Sequence, residues 1–147
     1  MFFDFFWGGF NQMKKEDRQN LIRLSKKIFQ KERGILFCYL FGSQTTKNTV
    51  SDSDVDLAVF FEKNQVNDFF ERRLELIGEL SKLLGKEADV VVLNTAPPFL
   101  RYVVLKEGKL IFERDKGKRI DFELKSLNEY FDFKPILEKY HQRLLTS

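Results

Sequence analysis

Two aspartates, Asp54 and Asp56, are the residues whose type and spacing most clearly indicate chemistry. They are separated by Val55 in a segment with strand-like alternation, so both carboxylates lie on one face of the predicted strand. Two like charges about 4 Å apart repel by roughly 4 kcal/mol at an effective dielectric constant of 20. A divalent cation is the usual compensation, and Mg²⁺ prefers carboxylate oxygens. An isolated Asp-x-Asp pair is a weak signal, because many such pairs lie in turns or on the surface.

A Gly-Ser pair precedes these aspartates by a gap of ten residues and follows a short apolar run. Gly42 allows the backbone to approach a bulky anion, and Ser43 supplies a hydroxyl group. The backbone N–H groups that follow can point into the same concavity, and a helical turn would add its positive end. A phosphate-binding element one loop away from a metal-binding element is the arrangement needed to attack a nucleoside triphosphate.

A third carboxylate is expected on a neighbouring strand, and Asp89 is the preferred candidate. It opens a valine-rich run that ends at Leu93, where a charged residue otherwise has little reason to occur. Glu87 is the competing choice. The alternative reading of Asp89 is a simple turn residue at the start of a strand.

Alternating helices and strands position these residues. Apolar residues at helical spacing predict a helix over Lys14–Arg33 that ends at Gly34. Wholly apolar or valine-rich runs predict strands, and the polar stretch between the first two predicts a loop. The strands are Ile35–Phe41, Asp54–Phe61, Ala88–Leu93 and Lys109–Phe112, and the loop is Gly42–Ser53.

Three further helices complete the pattern. Asp68 and Glu71 predict a capped helix that ends at Gly85 and lies on the core with Phe70, Leu74, Ile77, Leu80 and Leu84. Thr95 is predicted to cap a short helix that contains Pro97 and Pro98 and stops at Gly108. From about Lys118 a last helix is expected to bury Leu124, Leu127 and Phe131 and to break or kink at Pro135. The pattern predicts one α/β domain with a helical C-terminal part.

Composition limits the classes of protein. The 147 residues predict a single domain over 13–147, preceded by an aromatic N-terminal arm, 1–12, of unknown role. The net charge of +3 gives no strong sign of DNA binding, and no apolar stretch is long enough for a membrane span. The only cysteine, Cys38, cannot form an intramolecular disulfide, so a cytoplasmic location is expected. The 17 phenylalanines predict an apolar surface for a partner.

These motifs resemble those of the DNA polymerase β-like nucleotidyltransferase superfamily, and more closely those of the minimal nucleotidyltransferases. Members of that family are antitoxins paired with HEPN-domain toxins. The resemblance rests on Gly42-Ser43, on the stretch from Ser51 to Val59 and on the segment from Asp89 to Pro98, and it covers roughly residues 14–145. It implies a mixed central sheet flanked by helices, with an active site in a cleft on one side.

The resemblance also implies a reaction. Asp54, Asp56 and Asp89 would hold two Mg²⁺ ions, Gly42 and Ser43 would grip the phosphates of ATP, and AMP would pass to a tyrosine of the partner toxin. The loop departs from the family's common Gly-Ser-Arg-Ala-Arg-Gly, because Gln44, Thr45 and Thr46 precede Lys47 here. Lys47 is the candidate for the basic group near the triphosphate.

Two other functions stay open from the sequence. The protein could neutralise a toxin mainly by forming a complex, with weak or no catalysis, and the surplus of apolar residues favours this reading. It could instead modify a small molecule, as aminoglycoside nucleotidyltransferases do. Those enzymes usually carry a substantial C-terminal helical domain, whereas only about thirty-five residues follow Phe112 here.

Overall fold

A computed structural model describes residues 15–41 and 55–146 of the chain. In chain order, its helices are α1 (Lys15–Lys31), α2 (Phe69–Leu84), α3 (Pro98–Glu107) and α4 (Lys116–Thr146), with a 3₁₀ turn at Lys63–Gln65. The strands are β1 (Ile35–Phe41), β2 (Val55–Phe61), β3 (Ala88–Val92) and β4 (Lys109–Glu113). Within the described residues, every predicted strand is therefore present, and the bounds of β1 agree with the prediction.

The four strands form one mixed sheet in the order β3-β2-β1-β4. Strand β1 is antiparallel to both β2 and β4, whereas β2 and β3 run parallel. Helix α2 makes the crossover between the two parallel strands, which a hairpin cannot connect. The mixed sheet with helices around it and a helical C-terminal part confirms the predicted fold class.

Helices cover both faces of the sheet. On one face, α1 and α2 contribute Leu21, Phe29, Leu76 and Leu80 to a core built on Leu57, Val59 and Val90. On the other face, α3 and α4 contribute Val104, Leu105 and Phe122 to a core built on Phe37, Ala58 and Val91. Because β2 is buried on both faces, its side chains are apolar almost throughout, and a charged residue within it is the exception.

The ends of α2 follow the sequence signals. The carboxylate of Asp68 accepts hydrogen bonds from the backbone N–H groups of Phe70 and Glu71, which confirms the predicted cap. Gly85 ends the helix with φ 64°, a left-handed conformation that favours glycine.

The predicted buried face of α2 was wrong in its first half. Phe70 is 67 % exposed and Leu74 is 50 % exposed, whereas Phe69 and Leu76 pack on the sheet. Both sets of residues fit helical spacing, and the sheet lies against the row that contains Phe69, Arg73 and Leu76.

Helices α3 and α4 also correct the sequence analysis. Pro97, not Thr95, occupies the N-cap of α3 and makes no side-chain capping bond there. Helix α4 continues through Pro135 and is not broken by it. Its buried row contains Phe122 and Ser126, whereas Leu124 and Phe131 are 56 % and 54 % exposed. The predicted end of α3 at Gly108 is confirmed.

Within the part of the chain that the structure describes, no helix is both long and apolar enough to cross a membrane. Segment 1–12 lies outside the described residues, so its separation from a domain over 13–147 stays a prediction.

Candidate active site

Asp56 and Asp89 lie side by side in the sheet. They are direct partners in the parallel pairing of β2 with β3. Adjacent strands are about 4.8 Å apart, and partners in register point to the same face. The helix crossover therefore places the two carboxylates, which are 33 residues apart in sequence, on neighbouring strands of one face. This is the face that carries Ala58 and Val91 and is covered by α3 and α4.

Asp56 is only 6 % exposed and is flanked in the chain by the buried residues Val55 and Leu57. A carboxylate at this depth is costly unless a cation or hydrogen-bond donors compensate its charge. A buried carboxylate beside a second carboxylate suits hard divalent cations such as Mg²⁺, which take oxygen ligands and keep several water molecules. The carboxylates of Asp56 and Asp89 are thus the type of oxygen ligand that magnesium takes.

Asp89 is held in place by two donors that reach the same carboxylate oxygen. The guanidinium group of Arg73, on α2, donates to Asp89 Oδ1 at 2.8 Å, and the backbone N–H of Val90 donates to Oδ1 at 2.8 Å. The side chain of Asp89 is 43 % exposed. It is thus accessible to a ligand and does not point into the core.

The remaining predicted site residues, Gly42, Ser43, Lys47 and Asp54, lie outside the described residues. Their roles and their geometry stay predictions. The strands before and after this segment, β1 and β2, lie side by side at the site, because Phe41, the last residue of β1, pairs with Asp56. Among residues 15–41 and 55–146, no three His, Cys, Asp or Glu side chains form a group that could hold a metal ion. That observation does not extend to the predicted set of Asp54, Asp56 and Asp89, because Asp54 lies outside the described residues.

Arg73 is a residue of this site that the sequence did not indicate. The predicted buried face of α2 contains Leu74 and not Arg73. The one-residue difference in the orientation of the helix brings Arg73 to the edge of β3. No local signal in the sequence distinguishes Arg73 from the adjacent Arg72.

A separate cavity of about 460 Å³ lies at the other end of β1 and β2, where Leu36, Phe60 and Phe122 line it. Neither Asp56 nor Asp89 lines this cavity. Two of its basic side chains are held by the protein itself: Arg101 donates to the backbone oxygens of Leu93 and Asn94, and Lys118 forms an ion pair with Glu62. The carboxylate pair is therefore the better candidate for chemistry.

Two groups that could react in other settings are inactivated by burial. Burial raises the pKa of the Cys38 thiol well above its ordinary value, so a thiolate nucleophile is not available there. Burial, followed by the hydrogen bond to Glu123, likewise raises the pKa of Tyr39. Both side chains belong to the core of β1.

Comparison with protein families gives a direct match. The family model described as polymerase beta, nucleotidyltransferase matches residues 25–117. This span includes every residue predicted for the site.

Individual proteins of similar sequence are known. Protein adenylyltransferase MntA of Aphanizomenon flos-aquae is 25 % identical over 123 residues, which cover 79 % of this chain and 82 % of that protein. A protein of Methanocaldococcus jannaschii, provisionally named protein adenylyltransferase MJ1379, is 34 % identical over 73 residues, which cover 50 % of this chain and 72 % of that protein.

The fold has similar solved structures. One is a chain from the complex of the tri-AMPylated Shewanella oneidensis HEPN toxin with MNT antitoxin. The superposition has a TM-score of 0.67 and covers 88 % of this chain and 98 % of that chain, at 22 % sequence identity. At this level of identity the likeness establishes a shared fold.

Proposed function

Because the chain belongs to the polymerase β nucleotidyltransferase family, among its minimal members, we propose that it transfers AMP from ATP to a hydroxyl group of a partner HEPN-domain toxin and acts as its antitoxin. The observation that carries this proposal is the register pairing of Asp56 with Asp89 inside the matched domain. The named activity of MntA supports adenylyl transfer, and the modified toxin in the Shewanella complex supports a protein acceptor.

The proposed residue roles follow from the chemistry of phosphoryl groups. Asp54, Asp56 and Asp89 would hold two Mg²⁺ ions, which when bound neutralise charge on the triphosphate and on the attacking oxygen. Asp89, at the exposed edge, takes the proton of the acceptor hydroxyl, which we propose is a tyrosine. The hydroxyl oxygen forms a bond to the α-phosphorus as the bond from that phosphorus to pyrophosphate breaks.

The phosphate-binding residues complete the proposed site. Gly42 and Ser43 directly follow Phe41, which pairs with Asp56, so the chain continues from the site into the predicted phosphate loop. We assign them to the β- and γ-phosphates of ATP, and Lys47 to the charge of the leaving pyrophosphate. Positioning and charge neutralisation supply most of the catalysis in such reactions.

An apolar surface on the described residues supports a protein partner. Large hydrophobic side chains are exposed along α4, including Leu124, Phe131, Ile136, Tyr140 and Leu144. On α3, Tyr102 stacks on Tyr130 of α4 with ring centroids 3.7 Å apart, next to Phe131. Exposed apolar patches of this kind mark interaction surfaces. Complex formation is thus part of the proposal, and we propose the cytoplasm, where ATP is available, as the location of the reaction.

An AMP-transfer assay tests the proposal. ATP labelled at the α-phosphate is incubated with Mg²⁺, the protein and a candidate HEPN-domain partner, and label on the partner is measured. Asp56→Asn keeps the shape of the side chain but removes its charge, and we expect transfer to fall by roughly 10²- to 10³-fold, as when one group that stabilises the charge of a transition state is removed. Asp17→Asn, which neutralises an exposed carboxylate on α1, away from both the carboxylate pair and α4, is the matched control and is expected to retain full transfer.

The outcomes separate the candidate functions. Transfer in wild type and in Asp17→Asn, but not in Asp56→Asn, supports the proposed enzyme. Neutralisation of toxin activity that is unchanged in Asp56→Asn would instead select the binding protein without catalysis. Transfer to an aminoglycoside but not to the protein would select the small-molecule enzyme.

A further inference from the structure

Strand β3 forms one edge of the sheet, and its outward-facing backbone groups need partners. The backbone oxygen of Glu87 and the N–H of Leu93 both bond to β2, so the odd-numbered residues of this segment face the neighbouring strand. Val90, between them, therefore directs its N–H and its C=O towards the free edge. In a typical edge strand such N–H and C=O groups form hydrogen bonds with water.

Here the two groups of Val90 are taken by the side chains of Asp89 and Arg73. The N–H of Val90 donates to Asp89 Oδ1 at 2.8 Å, and Arg73 Nε donates to the C=O of Val90 at 2.5 Å. The terminal nitrogen of Arg73 closes the ring by donating to Asp89 Oδ1 at 2.8 Å. We name this arrangement the edge clamp: Arg73, Asp89 and Val90, joined by three hydrogen bonds.

The edge clamp fixes the orientation of one carboxylate of the candidate site. Both of its donors to Asp89 reach Oδ1, so rotation of the carboxylate would break two hydrogen bonds, one of them to a charged donor. Oδ2 accepts neither of these hydrogen bonds and is therefore the oxygen available to a ligand. The guanidinium group cannot lose its proton at accessible pH, so it keeps a positive charge beside the carboxylate throughout.

Arg73 differs in this respect from Arg72, its neighbour on α2. Arg72 forms ion pairs with Glu32 of the segment after α1 and with Glu75 and Glu79 of its own helix. Those contacts join α2 to the segment that follows α1 and do not involve β3. The two adjacent arginines therefore offer a comparison between an arginine that acts on the candidate site and one that only stabilises the fold.

We propose that Arg73 is a positioning residue, which holds the Asp89 carboxylate in the orientation that binds a divalent cation and receives the proton of the acceptor. The inference rests on the proposed function. Groups that orient metal-binding side chains typically account for 10- to 100-fold in metal affinity or activity. We expect losses of that size in Arg73→Ala, with smaller losses in Arg73→Lys, which keeps the charge but cannot form both contacts.

Two measurements test the role of Arg73, and one does not depend on turnover. The first is the Kd of Mn²⁺, obtained from the electron paramagnetic resonance of free Mn²⁺ in the presence of α,β-methylene-ATP, which cannot donate AMP. The second is kcat and KM for AMP transfer. In Arg73→Ala we expect a 10- to 100-fold weaker Kd, a similar fall in kcat and a KM for ATP that changes less than kcat. Arg72→Ala should lower Tm and leave the Kd of Mn²⁺ within twofold of wild type.

Two results would overturn the proposal for Arg73. If Arg73→Ala lowers Tm but leaves the Kd of Mn²⁺ and kcat unchanged, the clamp only protects the edge of the sheet and the proposal is wrong. If Arg73→Ala tightens Mn²⁺ binding, the guanidinium group competes with the cation, which also overturns it. A wild-type protein that transfers no AMP rejects the proposed function, while the Mn²⁺ comparison between the two arginine variants still decides the role of Arg73.

Discussion

Two buried serines provide a stability prediction whose sign depends on hydrogen bonding. Ser25 on α1 and Ser126 on α4 are both fully buried, and the hydroxyl oxygen of each has no hydrogen-bond partner among the described residues. Ser81 on α2 differs, because its hydroxyl oxygen accepts a hydrogen bond from the N–H of Ala88 at 3.1 Å. The same substitution, Ser→Ala, should therefore stabilise the protein at two positions and destabilise it at the third.

The magnitude follows from the contacts. Removing a buried hydroxyl group that lacks a partner recovers roughly 1–3 kcal/mol of desolvation cost, and alanine is about 0.5 kcal/mol better than serine in a helix. After some loss of packing, we expect a gain of about 1–2 kcal/mol in the free energy of unfolding for Ser25→Ala and for Ser126→Ala. Ser81→Ala loses a hydrogen bond worth about 0.5–1.5 kcal/mol, offset in part by the same helix preference.

Differential scanning calorimetry and urea denaturation measure these changes. At about 2–4 °C per kcal/mol for a chain of this size, Ser25→Ala and Ser126→Ala should each raise Tm by roughly 2–8 °C, and Ser81→Ala should lower it slightly. A fall in Tm for either of the first two variants would refute the reasoning, since it would mean that the buried hydroxyl group contributes more than it costs.

Two further predictions concern the core of β1 and the exposed face of α4. The hydroxyl group of Tyr39 donates to Glu123 at 2.5 Å, and burial raises its pKa, so its contribution to stability is complete below pH ~10 and is lost as the pH rises further. Tyr39→Phe should therefore flatten the fall of the urea midpoint between pH 9 and 11, and parallel curves for the two proteins would contradict this. Phe131→Asp should weaken binding of the HEPN-domain partner at least ~10-fold in calorimetric titration, as for a central interface residue, with a modest fall in Tm because Phe131 contacts Tyr102 and Tyr130. Leu83→Asp, on the exposed side of α2, is its control, and equal losses in the two variants would exclude α4 as the binding surface.

Local patterns in the sequence determined where β1 lies and where α2 begins and ends. The apolar run Ile35–Phe41 predicted β1 to the residue, because a strand buried on both faces has no polar positions that blur its limits. Asp68 and Gly85 marked the ends of α2, because capping and a left-handed turn depend on single residues. The Asp-x-Asp pattern drew attention to Asp56 for the same reason, because its spacing is a property of one strand, and the place of Asp54 stays a prediction.

Only the tertiary structure decided which distant residues meet and which helix faces are buried. The pairing of Asp56 with Asp89 requires β2 and β3 to be parallel neighbours, a relation set by the crossover of α2. Helices α2 and α4 carry apolar residues on more than one side, so periodicity could not show that Leu74 and Phe131 are exposed. The contact of Arg73 with Asp89 depends on the same orientation of α2, because rotating the helix by one residue would take this guanidinium group away from β3.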